Sequence, residues 1–281
     1  MKKLKYILAA FAATLITVPF TACNSSDEKH DGSNQPQTDL QEAPLPDAGA
    51  AEVPVLEDNV ESAPQEDKKP QTVAYVTVTA DGVNIRSGAG TGYSVRGQAE
   101  KSTLYCLSES SDGWYRTGYR NKDGYISSKY CTVVNMPSSG NELIEAVIEE
   151  GAKLLGTPYV YGATRLHDGR GNFYKSFSTD EFDCSSLMQY IFYKGADKLL
   201  DVNTRTQVYQ GTTVTRAQLK RGDLMFFTNA SRKNNKGVER IGHVALYLGD
   251  NYILHTASDY AKIEQISSTR WSYFIQGQRI L

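Results

Sequence analysis

The stretch Asp183-Cys184-Ser185-Ser186-Leu187-Met188-Gln189-Tyr190-Ile191-Phe192 reads as a helix that begins at a cysteine. Asp183 is a favoured N-cap residue, Leu187, Met188, Ile191 and Phe192 recur along one apolar stripe, and Gly195 stands where a helix-ending residue is expected. Cys184 therefore falls in the first turn, beside the face that must be buried. The unpaired N–H groups and the positive end of the macrodipole favour an anion there, so this thiol is expected to ionise more readily than a free one. A cysteine so placed is a candidate nucleophile.

A nucleophile of this kind needs a base, and the strand-like runs downstream supply two histidines. Arg221-Gly222-Asp223-Leu224-Met225-Phe226-Phe227, Gly242-His243-Val244-Ala245-Leu246-Tyr247-Leu248 and Tyr252-Ile253-Leu254-His255-Thr256 read as successive strands. If Gly249-Asp250-Asn251 is a three-residue turn, Leu248 lies opposite Tyr252 and His243 opposite Ala257, so His243 and His255 share one face. A loop one residue shorter or longer would separate them, because side chains alternate. One helix-start cysteine and two neighbouring imidazoles match a Cys-His apparatus whose base is oriented by a third group. Either histidine alone would more often be structural.

The order of elements is α+β. A helix is expected from Asn141 to about Gly156, with Leu143, Ile144, Val147, Ile148, Leu154 and Leu155 on its apolar face. A polar loop to Phe182 and the Cys184 helix follow, and an antiparallel sheet comes after the helices.

The 281 residues are enough for about two domains, and 40% apolar with 22% charged residues is ordinary for globular parts. The formal net charge of −2 gives no reason to expect nucleic acid. It is unevenly spread: +3 over residues 1–26, −9 over 27–70 and +4 over the remainder. Lys2-Lys3-Leu4-Lys5 before an uncharged run gives residues 1–22 the form of an export signal. Thr21-Ala22-Cys23 resembles the end of a bacterial lipoprotein signal, which implies that Cys23 is acylated and anchors the chain to a membrane. Residues 23–71 are acidic and proline-containing, with too little apolar surface to offset ordering entropy, and are expected to be a solvated tether.

Residues 72–136 change to short β-branched runs punctuated by Asp81-Gly82, Asp112-Gly113 and Asp123-Gly124, the pattern of a small all-β barrel. Val83-Asn84-Ile85-Arg86-Ser87-Gly88, Gly113-Trp114-Tyr115-Arg116 and Gly124-Tyr125-Ile126-Ser127-Ser128-Lys129-Tyr130 make this segment similar to bacterial SH3-like cell-wall modules, which implies a targeting or positioning role. Cys106 and Cys131 fall on its strands and fit either a disulfide or two buried hydrophobes. No metal-binding spacing occurs.

Residues 141–281 resemble the NlpC-type family of papain-like cysteine peptidases through Tyr159-Val160-Tyr161-Gly162, Phe182-Asp183-Cys184-Ser185-Ser186-Leu187, Arg221-Gly222-Asp223-Leu224, Gly242-His243-Val244 and Leu254-His255. The resemblance implies a papain-like fold, with N-terminal helices packed on an antiparallel sheet, and no cofactor. It implies hydrolysis of the γ-D-glutamyl to L-diamino acid bond in peptidoglycan stem peptides, with Cys184 as nucleophile, His243 as base and His255 as its orienter. Tyr159, Asp183 and Ser185 match substrate-site positions. On this reading Asp183 either binds the free α-ammonium of a released stem or only caps its helix. A monomer is expected. The loop Ala163 to Glu181 is longer than the family's usual connection, and Val202-Asn203-Thr204 stands where a Pro-Arg-Thr or Pro-Arg-Ser segment is common. Both segments would border the cleft and bear on substrate selection. Two other classes fit: a wall-binding scaffold with an inactive peptidase domain, and an acyltransferase or amidase on the same fold.

Overall fold

The computed structural model describes residues 71–281; the expected export signal, the expected lipidation at Cys23 and most of the expected tether lie outside them. Among the described residues no helix is long and apolar enough to cross a membrane. The N-terminal part consists of β1 (Thr72–Val78), β2 (Val83–Arg86), β3 (Val95–Ala99), β4 (Leu104–Cys106), β5 (Glu109–Ser111), β6 (Trp114–Tyr119), β7 (Lys122–Ser127) and β8 (Cys131–Pro137). Helices α1 (Glu142–Lys153), α2 (Cys184–Ala196) and the short α3 (Thr204–Gln207) follow. The chain then runs through β9 (Thr212–Val214), β10 (Leu224–Phe227), β11 (His243–Gly249), β12 (Tyr252–Ala257) and β13 (Tyr260–Gln265), and ends with α4 (Ser268–Ser272) and β14 (Phe274–Arg279).

The expected small all-β SH3-like part is built from strands of two sheets. Strands β3-β2-β7-β6-β5 form one, and β8-β1-β4 continue directly into β13-β12-β11-β10-β14-β9 to make a nine-stranded second sheet. The junction is the antiparallel pairing of Leu104 with Ile263, both fully buried. One hydrophobic core therefore runs from Tyr75 and Val76 through Leu104 to Phe192 and Leu254. Cys106 and Cys131 are free thiols on strands flanking β1, opposite Tyr75 and Val78 respectively.

Helix α1 starts at Asn141, whose side chain accepts from the Leu143 N–H, and it packs against α2. The sequence places Gly195 beyond the end of α2. In the structure α2 continues to Ala196, and Asp197 takes the left-handed conformation, φ 50°, that ends it. Gly195 has another duty: a Cβ there would lie 2.5 Å from the Cα and N of Val147 in α1. The two helices approach backbone to backbone at this point, near the C-terminal end of α2.

Alanine is the better helix former by about 1 kcal/mol, so propensity alone predicts that Gly195→Ala stabilises the chain. The close approach reverses the sign, and a loss of about 1–3 kcal/mol is expected from overpacking. Urea unfolding followed by circular dichroism checks it; a raised midpoint would mean that the helices separate freely.

Candidate active site

The start of α2 is built by its own sequence. Asp183 is extended, its Oδ1 accepts from the N–H groups of Ser185 (3.0 Å) and Ser186 (2.9 Å), and Ser186 Oγ accepts from the Asp183 N–H at 2.9 Å. This reciprocal cap makes Cys184 the first helical residue. Leu187, Met188, Ile191 and Phe192 are fully buried and fix the rotation of the helix, so Cys184, 8% exposed, faces β11. The backbone N–H groups of Val244 and Ser185 favour its thiolate form. The expectation of an easily ionised thiol does not hold. Burial, followed by the Asp183 carboxylate, outweighs those N–H groups and pushes the thiol up to about 12.

The β11–β12 hairpin delivers the histidines by a route the sequence does not display. Gly249 pairs with Tyr252 around a two-residue turn in which Asp250 and Asn251 have φ of 46° and 66°. Such a turn alone would put the histidines on opposite faces. A bulge between Tyr247 and Gly249 adds one residue and restores the parity, so that Leu246 pairs with Leu254. His243 Nε2 then lies 3.0 Å from His255 Nδ1.

The chain of contacts runs further than sequence reading reached. His255 Nε2 is 3.0 Å from Glu264 Oε1, and Arg270 Nη2 donates to the same oxygen at 3.0 Å. Burial raises the Glu264 carboxyl, but the His255 hydrogen bond and the Arg270 and Lys262 charges prevail and hold it at about 2. Burial lowers both imidazoles, most strongly His243, which also feels His255 and Arg270. These states assign the protons. An ionised Glu264 only accepts, so His255 carries its proton on Nε2; its Nδ1 then accepts from His243 Nε2–H, which leaves the lone pair of His243 on Nδ1. Hairpin arithmetic could have found Glu264. With a tight turn at Ser258-Asp259, His255 faces Lys262, and Glu264 alternates onto the same face.

Beside His243 opens a cleft of about 390 Å³, bordered also by Tyr159, Phe227, Ala257 and Arg270. Tyr159 is held by its N–H to Asp259 O at 2.8 Å, and burial, then Cys184 and Asp183, oppose ionisation of its hydroxyl. Ser185 turns inward and donates to Asp183 Oδ1 at 2.9 Å. Asp183 is 4% exposed, and its Oδ2 accepts from Gly162 N at 3.2 Å and from Arg165 Nη2 at 2.8 Å. The carboxylate that the sequence offers to a substrate ammonium is thus already charge-paired. Nothing in the composition or spacing of the loop marks Arg165 for this place.

Residues 156–279 match the NlpC/P60 family, and residues 81–132 match the bacterial SH3 domain. A gamma-DL-glutamyl hydrolase of Bacillus subtilis is 27% identical over 61% of this chain and 37% of its own length. The peptidoglycan DL-endopeptidase CwlO of Bacillus licheniformis is 31% identical over 50% of this chain and 28% of its own. The chain thus spans well under half the length of these relatives. A crystal structure of an NlpC/P60 family protein from Bacillus cereus aligns with a TM-score of 0.40, at 21% identity, over 74% of this chain and 64% of that one. The second part of the chain thus matches an NlpC/P60 domain behind a bacterial SH3 domain, and similar proteins include ones named as peptidoglycan endopeptidases.

The Glu264 contacts give stability a defined acid dependence. Its carboxyl is held at about 2 in the folded chain, while an unfolded glutamate titrates near 4.3, about the model-peptide value. The unfolded chain takes up the proton first, so this stabilisation is complete above about 4.3 and is lost as pH falls through about 2. Wild type should exceed Glu264→Gln in urea midpoint near neutral pH, and the gap should narrow across that window. A gap that stays constant would show that His255 and Arg270 do not hold the carboxylate.

Proposed function

We propose that this protein hydrolyses the γ-D-glutamyl to L-diamino acid amide bond of peptidoglycan stem peptides, with Cys184 as nucleophile, His243 as general base and then acid, and His255 as the group that orients His243. The observation that carries the reading is the meeting of two independently anchored parts. The capped start of α2, packed on β11, carries Cys184, and the hydrogen-bond chain behind His243 leaves its lone pair on Nδ1.

In this reading the resting pair is neutral, since burial raises the thiol and lowers the imidazole. As sulfur attacks the amide carbonyl, its proton passes to His243 Nδ1. The imidazolium, steadied through His255 and the Glu264 carboxylate, returns that proton to the departing amine of the diamino acid. A thioester to the glutamyl γ-carbon remains. Water, deprotonated by the same imidazole, then releases the acid and restores the thiol. The names of the relatives, peptidoglycan endopeptidases and a gamma-DL-glutamyl hydrolase, support the bond. The SH3 domain would position the enzyme on the wall, and an export signal at residues 1–22 with acylated Cys23 and a tether over 23–71 would hold it at the outer face of a membrane.

Mass analysis of a muropeptide digest tests the bond: products ending in D-glutamate, paired with fragments whose diamino acid has a free amine, are expected from wild type. Cys184→Ser should lose turnover by at least about a hundredfold at little cost in Tm, because a hydroxyl is the weaker nucleophile before the same base. Retained turnover would remove Cys184 from its role.

His255 acts through His243, so His255→Ala should reduce kcat less than His243→Ala, and His255→Asn should recover part of the loss. Equal and complete losses in both His255 variants would argue for direct participation in proton transfer.

A further inference from the structure

The loop between α1 and α2 and the segment after α2 both depart from the pattern the sequence resembles, and they meet at one side chain. Arg165 Nη2 lies 2.8 Å from Asp183 Oδ2 and 3.3 Å from Ser185 Oγ, Nε donates to the Val202 carbonyl, and Nη1 to the Ala163 carbonyl. Only 19% of the Arg165 side chain and 6% of the Asp183 side chain are exposed. All three guanidinium nitrogens thus have protein acceptors, one of them the Asp183 carboxylate and two of them backbone carbonyls. Asp183 and Ser185 flank the cysteine in sequence, and on the stem-peptide reading they face the amino side of the bond to be cut. On that side the charge a carboxylate would offer to an ammonium is already taken. A substrate ammonium could bind Asp183 only by displacing the guanidinium, which would then be left half-buried without its acid.

We propose that Arg165 is a specificity-determining residue: it stands in for a substrate ammonium at Asp183 and makes this subsite indifferent to whether the stem peptide has a free or an acylated amino terminus. The inference rests on stem peptides being the substrate, as the preceding subsection holds. Its consequence is that stems still amide-linked to glycan are cut as readily as released ones, because an acylated terminus carries no charge that must find a partner. Arg165 touches neither sulfur nor imidazole; it acts on selection through Asp183 and Ser185.

The experiment compares kcat/KM for L-Ala-γ-D-Glu-diamino acid and for its N-acetylated form. Wild type should treat the two alike within about threefold, whereas Arg165→Met, which leaves Asp183 unpaired, should favour the free amine by about tenfold or more, the factor expected of one charged hydrogen bond. Adding Asp183→Asn, which keeps a cap acceptor but no charge, should return the ratio to the wild-type value. A wild-type preference for the free amine of about tenfold overturns the inference by itself, whether or not the methionine variant folds. A well-folded Arg165→Met with the wild-type ratio overturns it equally. Each of these failures occurs with cleavage intact; if wild type cuts neither peptide nor the muropeptide digest, the substrate reading has failed, and this inference with it.

Discussion

A buried guanidinium joins the parts of this molecule. Arg221, with 6% of its side chain exposed, donates to both carboxylate oxygens of Glu145 on α1, to the Tyr75 hydroxyl on β1 and to the Leu248 carbonyl of the β11–β12 hairpin. Burial works against its charge, but Glu145 and Tyr75 more than compensate, and Arg221 is a firmer cation here than in water. The adjoining Gly222 lets the backbone come this close: it has φ 96°, and a Cβ would meet Ile144 at 2.6 Å. Removing one partner of such a pair costs far more than the pair contributes net, because the other charge stays buried. The Arg221-Gly222-Asp223-Leu224 stretch is therefore architectural. Its aspartate, equally occupied, holds Arg279 at 2.8 Å.

That anchoring explains how the candidate site stays aligned. Helix α1 is pinned to the hairpin by Arg221 and to α2 by the close approach at Gly195, so the start of α2 and the edge of β11 are referred to the same neighbour. Cys184 and His243 come from different elements, yet neither element can shift without disturbing α1. Preorganisation of this kind is what the proposed neutral Cys184–His243 pair would require, since its proton would move only when an electrophile arrives in a fixed position.

The Glu264–Arg270 pair extends the same logic outward. A carboxylate held down at about 2 stays ionised throughout the range in which imidazole works, so the His255 tautomer does not wander. Arg270, which neutralises that carboxylate, also sits beside the cleft and over the Phe227 ring at 6.0 Å. The groups that hold His255 and those that shape the cleft are thus partly the same.

The sequence by itself determined what depends on near neighbours: the cap at Asp183, the helix beginning at Cys184, the alternation of the strands, and the presence of both histidines on one face. Those features arise from contacts a few residues apart, and local pattern reports them. Even there two details were compensated rather than read, since Leu248 bulges to rescue a turn one residue shorter than expected and Asp197, not Gly195, ends α2. Tertiary structure alone decided that Gly195 is a contact point between helices, that the N-terminal strands divide between two sheets and join the second part through Leu104 and Ile263, and that Arg165 closes on Asp183. It also set the Cys184 thiol, because the helix terminus that favours ionisation is a local effect, whereas the burial that opposes it is the work of the whole fold.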